Sequence, residues 1–512
     1  MKRQPCRELE AVGDEFIDQV TVFQDIMTSQ KNIESGKAPD ADSDDSFISI
    51  FGNKTRFVLM ILLLLCLASI WSNILTFNFA VICMQPTIPF NLTEDAHLDS
   101  ETTNFTPREK SLLTSAVAVG ALLFNFVVVW LVNHYGIRTV FTIFGLLSAF
   151  STLLIPTFIR MGFYYFLFMR FLQGVAFAAN FPVIGSFASK WTYYKQNGLF
   201  VSCLVAYVQL SPAITMPASG GLCTAFGWPA VFYAHGIWSL ILFITYACFY
   251  RNNPKKHPFV GSEEIGKISI GKVQMNKADL KKIPYGAILR DCAVWAVWIA
   301  SFGNFWAVNM LFLYSPIYLN HVLGYPIHKT GLTAAIPPIL QFSMKLFCGA
   351  TSDKIRFLSE TNKLRVYNSV AFLGSAVFLF ILALMDTEYN SICLLLLGAS
   401  AGILGATTGG FFKCGPMISK QYSHFVTGNV SLGITITMLL VPVLMGVVAP
   451  DNTEEEWKWV FLITAGVLCL TNLFFVVFGS GDPCEWTTEE YVARNSVGSI
   501  TKTEFPKRAD IN

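Results

Sequence analysis

QNGLFVSCLVAYVQLSPAITMPASGGLCTAFGWPAVFYAHGIWSLILFITYACFY, residues 196 to 250, contains no Asp, Glu, Lys or Arg. A helix needs about 20 apolar residues to cross the hydrocarbon core of a bilayer, so this run holds two crossings. Gly227-Trp-Pro229 divides them, since Gly and Pro are the residues that most readily end a helix. The run therefore reads as a helical hairpin embedded in lipid.

The same test applied outward finds ten more crossings. Before the hairpin they fall at about 57–83, 111–133, 139–159 and 162–188, and after it at about 292–320, 330–350, 366–385, 392–412, 423–448 and 459–479. Between the two groups lies a polar, basic segment from Arg251 to Arg290. The predicted fold is an all-α membrane protein of twelve transmembrane helices in two six-helix halves. Its expected parts are a disordered N-terminal tail (1–55), a first half (56–250), a central loop (251–290), a second half (291–480) and a C-terminal tail (481–512). The first apolar run is too long for a signal-peptide core and reads as a retained anchor.

Composition agrees. Hydrophobic residues make up 53% of the chain and charged residues 14%, against roughly 25% charged in soluble proteins. The apolar surplus must face something other than water, and lipid is the expected partner. A net charge of +2 argues against a nucleic-acid binder. The 12 cysteines occur singly, with no C-x-x-C pair, and read as small apolar fillers rather than a metal site or a disulfide framework. Neither a nucleotide-binding loop nor a Gly-x-Ser-x-Gly elbow is present, so neither an enzyme nor a cofactor is expected.

Loop charge sets the expected orientation, because Lys and Arg collect in cytoplasmic loops. The central loop is basic, as are Lys190 and Lys195 after the fourth crossing and Lys354, Arg356, Lys363 and Arg365 after the eighth. The opposite loops carry Glu94, Asp95, Asp99 and Glu101, and Asp451 with Glu454, Glu455 and Glu456. Both termini are thus expected in the cytoplasm. The sequons at Asn91 and Asn104 fall in the first outer loop and are the expected glycosylation sites, while that at Asn53 lies on the cytoplasmic side. Composition leaves the plasma membrane and an endolysosomal or vesicular membrane both open.

Ionisable groups inside a membrane are costly and are functional candidates by default. Only Arg170, Lys345 and Lys413 interrupt the spans, and no carboxylate does. Lys345 and Lys413 are expected to snorkel to the cytoplasmic interface. Arg170 has two open readings, a clamp on helix carbonyls or a part of an anion site. His235 and His424 read as hydrogen-bonded packing groups. Embedded amides, among them Asn78 and Asn304, either line a cavity or bridge helices.

Two six-helix halves with a basic central loop resemble the major facilitator superfamily. Gly349-Ala-Thr-Ser-Asp353-Lys354-Ile-Arg356 resembles its G-x-x-x-D-[RK] loop, which assigns Gly349, Asp353 and Lys354 to a cytoplasmic gate. The matching loop after the second crossing, Asn133-His-Tyr-Gly-Ile-Arg138, is degenerate, with Asn133 in place of the acid. Phe168-Met-Arg170-Phe-Leu-Gln-Gly174, Gly227-Trp-Pro-Ala-Val-Phe-Tyr233, Lys256-His-Pro258 and Glu455-Glu-Trp-Lys-Trp-Val-Phe-Leu-Ile463 are similar to the anion:cation symporter branch, which includes sialin and the vesicular glutamate and sodium–phosphate transporters. The resemblance covers roughly residues 55 to 490. It implies alternating-access transport of a small organic or inorganic anion, with a proton or sodium ion as the co-transported partner. It also assigns Asn78, Thr114, Arg170 and Asn304 to the substrate pathway. The chain departs from the branch where Arg residues are expected, at Thr76 and Asn304. It departs again at Thr114, in place of a His, and at Phe177, in place of a Glu. Those departures keep two alternatives in play, an uncoupled facilitator of a neutral solute and a non-transporting sensor or scaffold.

Overall fold

The computed structural model describes residues 54–84, 105–192, 197–269, 284–352, 358–488 and 491. Eleven helical stretches among them are long and apolar enough to cross a membrane. Crossings 1 to 6 are Thr55–Cys83, Pro107–Val132, Ile137–Met161, Phe163–Trp191, Phe200–Phe226 and Trp228–Phe249, and crossing 7 is Cys292–Val322. Crossings 9 to 12 are Glu360–Leu384, Thr387–Ser419, Phe425–Val448 and Glu454–Phe478. Position eight is taken by two consecutive helices, Ile327–Ala334 and Ile336–Ser352. The break at Ala335 follows from Pro337-Pro338, whose nitrogens cannot donate to the carbonyls of Thr333 and Ala334. Crossing 8 is thus present but interrupted, which an uncharged run in the sequence does not reveal.

Local chemistry explains most helix ends. Crossing 2 opens on Thr106, which with Glu109 forms a capping box ahead of Pro107, and crossing 12 repeats the device with Thr453 and Glu456. Asp291 caps crossing 7 and Ser359 caps crossing 9. Between crossings 5 and 6, Gly227 takes φ +81°, a conformation that favours glycine, and Pro229 starts the next helix. Crossings 4 and 10 are both irregular inside, by a turn at 178–179 and a 3-10 stretch at Leu404–Gly409.

The two halves repeat one packing solution. Arg138, near the start of crossing 3, donates from Nε and Nη2 to the Ala247 carbonyl of crossing 6, at 3.0 and 2.8 Å. Arg365, near the start of crossing 9, donates in the same way to the Gly479 carbonyl just beyond crossing 12, at 3.2 and 3.0 Å. The apolar surplus lies where lipid would be: Phe126, Val447 and Leu470 are each about two-thirds or more exposed on helices, as a lipid-facing surface requires.

Two features depart from expectation. Cys83, which ends crossing 1, is disulfide-bonded to Cys223 near the end of crossing 5, so these two are not simple fillers. The segments beyond crossings 6 and 12 are also more than loop and tail. Glu264 is fully buried and accepts from the Thr55 and Arg56 amides at 3.3 and 2.9 Å, capping crossing 1 from the central segment. Trp486 donates to Asp291 at 2.8 Å, fastening residues just past crossing 12 to the start of crossing 7. The expectations for 1–53 and 492–512, and for Asn53, Asn91 and Asn104, lie outside the described residues.

Candidate substrate site

The end of the bundle where crossing 1 finishes and crossing 2 begins is termed outer here, and the end with the central segment inner. At the outer end the halves are drawn together. Ser111 of crossing 2 donates to the Pro442 carbonyl of crossing 11 at 2.8 Å, and Ser115 donates to Leu439 at 3.4 Å. Asn78 of crossing 1 donates to the Leu313 carbonyl of crossing 7 at 3.4 Å. On the other flank, crossings 5 and 8 meet at Gly220 and Gly331. A Cβ on Gly331 would stand 2.7 Å from the Met216 carbonyl oxygen, so only glycine permits that approach.

At this seam lies a cavity of about 50 Å³, lined by Ser111 and Gly446 and, toward the outer end, by Ala449, Pro450 and Asn452. It has room for a few waters but is far smaller than the roughly 300 Å³ of a typical organic-ligand pocket. Phe77, Asn78, Lys110, Thr114 and Tyr314 are among its lining residues. Asn78 uses its NH2 on Leu313 and leaves its buried Oδ1 without a partner. The Thr114 hydroxyl donates to the Lys110 carbonyl at 2.9 Å and lies close to Tyr314, with which it shares the cavity wall. Lys110 and Tyr314 escape sequence reading. Lys110 sits just before the uncharged run of crossing 2, and Tyr314 is one apolar-looking residue among many.

Arg170 is completely buried and lies within electrostatic reach of Tyr314. Nε donates to the Leu113 carbonyl at 3.1 Å, and Nη1 donates to the Ile74 carbonyl at 3.1 Å and to Gln173 Oε1 at 2.7 Å. The guanidinium also lies over Phe77, 4.7 Å from the ring centroid. Nη2 has no hydrogen-bond partner. Both readings of this residue therefore have structural content: three donated bonds clamp crossings 1, 2 and 4, and one donor edge is left over. Gln173 continues the network to the Asn73 carbonyl at 3.0 Å and Thr152 at 2.8 Å.

The remaining candidates separate from this cluster. Asn304 is buried with an unpartnered Oδ1, but it precedes Tyr314 by ten residues, about 15 Å along crossing 7. It is not among the residues lining the outer cavity. Thr76 spends its hydroxyl on the Asn73 carbonyl, and Phe177 packs on Trp71. His235 is held on both ring nitrogens, by Ser72 at 2.9 Å and Ser219 at 3.3 Å. Lys413 lies 3.9 Å from Glu360 near the inner end. Of the gate residues, Asp353 and Lys354 lie outside the described residues. A Cβ on Gly349 would meet only Thr408, at an ordinary 3.7 Å, so close helix approach does not require glycine there.

The sequence profile of the Major Facilitator Superfamily matches residues 61–412. The chain belongs to that superfamily. It is 26% identical over 381 residues to vesicular glutamate transporter 3 of Danio rerio, a match covering 73% of this chain and 64% of that protein. It is 24% identical over 452 residues to sodium-dependent phosphate transport protein 1 of Mus musculus, covering 85% and 95%. Against human sialin it is 26% identical, covering 68% and 71%. The chain thus spans just under two thirds of the vesicular glutamate transporter and nearly all of the phosphate transport protein. Among solved structures, a bacterial homologue of the lysosomal transporter Spinster aligns with a TM-score of 0.60 at 12% identity, covering 83% of this chain and 97% of that one. The D-xylose-proton symporter aligns at 0.60 and 14%, covering 84% and 100%. These likenesses establish a multi-pass major facilitator fold.

Proposed function

We propose that this member of the superfamily is a secondary transporter, not an enzyme, that carries a small organic or inorganic anion by alternating access, driven by a proton or sodium gradient. The observation that carries the proposal is the unpartnered Nη2 of Arg170, a fully buried cation behind Phe77 and Tyr314, which line a cavity between the two halves. A buried guanidinium edge without an acceptor is unfavourable by itself, and an arriving carboxylate or phosphate supplies the missing acceptor. Asn78 Oδ1, Thr114 and Tyr314 supply the polar remainder of the pathway, while Asn304 marks a deeper position along crossing 7. The names of the relatives, which include glutamate and phosphate carriers, support the same solute class.

We further propose that both termini lie on the cytoplasmic side. The basic inner loops support this, as does the Cys83–Cys223 bond at the outer end, since disulfides persist on the oxidising side of a membrane. Gly349, Asp353 and Lys354 are retained as the inner gate, with Asn91 and Asn104 as outer glycan acceptors.

The test is uptake of labelled glutamate and inorganic phosphate into proteoliposomes, under imposed proton or sodium gradients. Saturable, gradient-driven anion flux is expected. Flux indifferent to the gradients overturns the coupling, and preference for a neutral solute overturns the anion reading.

A further inference from the structure

Crossing 8 turns one stripe toward the first half of the molecule. Gln341 on that stripe is buried and accepts from Gln209 Nε2 of crossing 5 at 2.9 Å, a bond that joins the two halves. Phe342, Leu346 and Phe347 lie on the other side of the helix and are exposed. Lys345 follows Gln341 by four residues, so it stands one turn further toward the inner end on the same stripe.

Helix side chains lean toward the N-terminus of their helix, which for crossing 8 is the outer end. The lean favours a Lys345 side chain directed into the bundle over one extended to the inner interface. Its ammonium lies 5.5 Å from the ring centroid of Phe412 on crossing 10. Phe412 in turn packs edge-on against Phe305 of crossing 7, at 6.3 Å. The ion pairs at this end of the second half use Glu360, which takes Lys363 at 2.6 Å and Lys413 at 3.9 Å. Lys345 has no carboxylate at ion-pair distance among the described residues. The snorkelling expected from sequence is not what this geometry provides.

We propose that Lys345 is a second anion-contacting station, on the half opposite Arg170, where the ammonium, held over the Phe412 ring that Phe305 supports, takes a carboxylate or phosphate group on its other side. Arg170 lies about two turns from the outer end of crossing 4, and Lys345 about two turns from the last described residue of crossing 8. The two cations thus stand at different depths and serve successive positions of one path. This assignment rests on the transport reading for its purpose, but not for its test.

Phe412→Cys places a thiol beside the ammonium in the full-length protein. In membranes it is labelled with a sulfonate-bearing and a trimethylammonium-bearing methanethiosulfonate of similar size, and the peptide containing position 412 is quantified by mass spectrometry. The sulfonate is expected to react faster than the ammonium reagent. Their rate ratio should fall about tenfold in K345Q, the lower end of electrostatic focusing in a low-dielectric cleft, and persist in K345R. Glutamate or inorganic phosphate at millimolar concentration should slow the labelling only where position 345 is charged. An unreactive thiol in F412C, or a rate ratio indifferent to K345Q, overturns the proposal. Thr408→Cys is the second reporter, read by the same outcomes, where F412C perturbs folding. A charge-dependent ratio combined with absent flux in proteoliposomes would leave the anion station standing and remove the transport reading alone.

Discussion

At residue scale, Arg170 serves two purposes with one planar group. A guanidinium can hold the Leu113 and Ile74 carbonyls and Gln173 while keeping an edge free, and an ammonium on a flexible stem cannot. R170K is therefore expected to lose at least one charge-assisted bond, about 1.5–3 kcal/mol, visible as a lower melting temperature of the purified protein. R170Q is expected to cut anion flux by roughly tenfold or more, the equivalent of a single such bond. Flux lost only in proportion to the surviving folded protein would reduce Arg170 to a packing clamp. His257 offers a second test at this scale. Burial against Trp191, Phe249 and Phe259 holds its pKa below the usual 6.5, and Arg251 adds to this, although the Phe249 carbonyl and Glu264 act the other way. The ring bridges the Phe249 carbonyl at Nε2, 3.1 Å, and accepts the Phe259 amide at Nδ1, 3.3 Å. The neutral ring is the native one, so its stabilisation is complete above pH 6.5 and is lost as pH falls through the lowered value. Thermal melts should show H257N and the parent separated above the ordinary histidine pKa of about 6.5 and drawing together as the pH falls below it. Parallel pH curves would show that His257 is not a titrating support.

At the scale of elements, the sequence is most legible where the physics is local. Charge-free runs of sufficient length mark the crossings, and Thr106 with Glu109, or Thr453 with Glu456, marks where two of them begin. What could not be read depends on residues far apart. Glu264 caps a helix about two hundred positions earlier, and the Gly220–Gly331 approach needs both halves in place. Arg170 is legible as a buried charge, but its leftover donor depends on carbonyls of crossings 1 and 2. The Cys83–Cys223 bond spans 140 residues and leaves no local pattern. Closing so long a loop stabilises a fold by about 2–4 kcal/mol, so C83S and C223S should each lower the melting temperature, and the double variant should do no more than either alone. Intact mass after thiol alkylation without reductant is expected to show both cysteines protected. Two alkylated thiols would dissolve the link between crossings 1 and 5.

At the scale of the whole molecule, alternating access requires the outer closure to break on every cycle. The polar contacts and close approaches that mark it are specific: Ser111 to Pro442, Ser115 to Leu439, Asn78 to Leu313 and the Gly220–Gly331 approach. Hydrogen bonds and close backbone passages of this kind fix the register of two surfaces whose apolar residues also pack together. A covalent bond across this closure should therefore stop transport without disturbing either half. Gly446 of crossing 11 faces Ser111, and a Cβ built on it would lie 3.1 Å from the Ser111 Cβ. That falls a little short of the roughly 3.5–4.5 Å of a relaxed disulfide, so a small shift suffices. In S111C/G446C, oxidation is expected to reduce anion flux to background, and reductant should restore it, while each single variant keeps most of its flux under both conditions. With F412C added, labelling at position 412 from the inner side should survive the cross-link, because only the outer closure is locked. Full flux through a molecule shown by mass to be cross-linked would mean that the halves do not part at this seam, and the rocking mechanism would have to be abandoned.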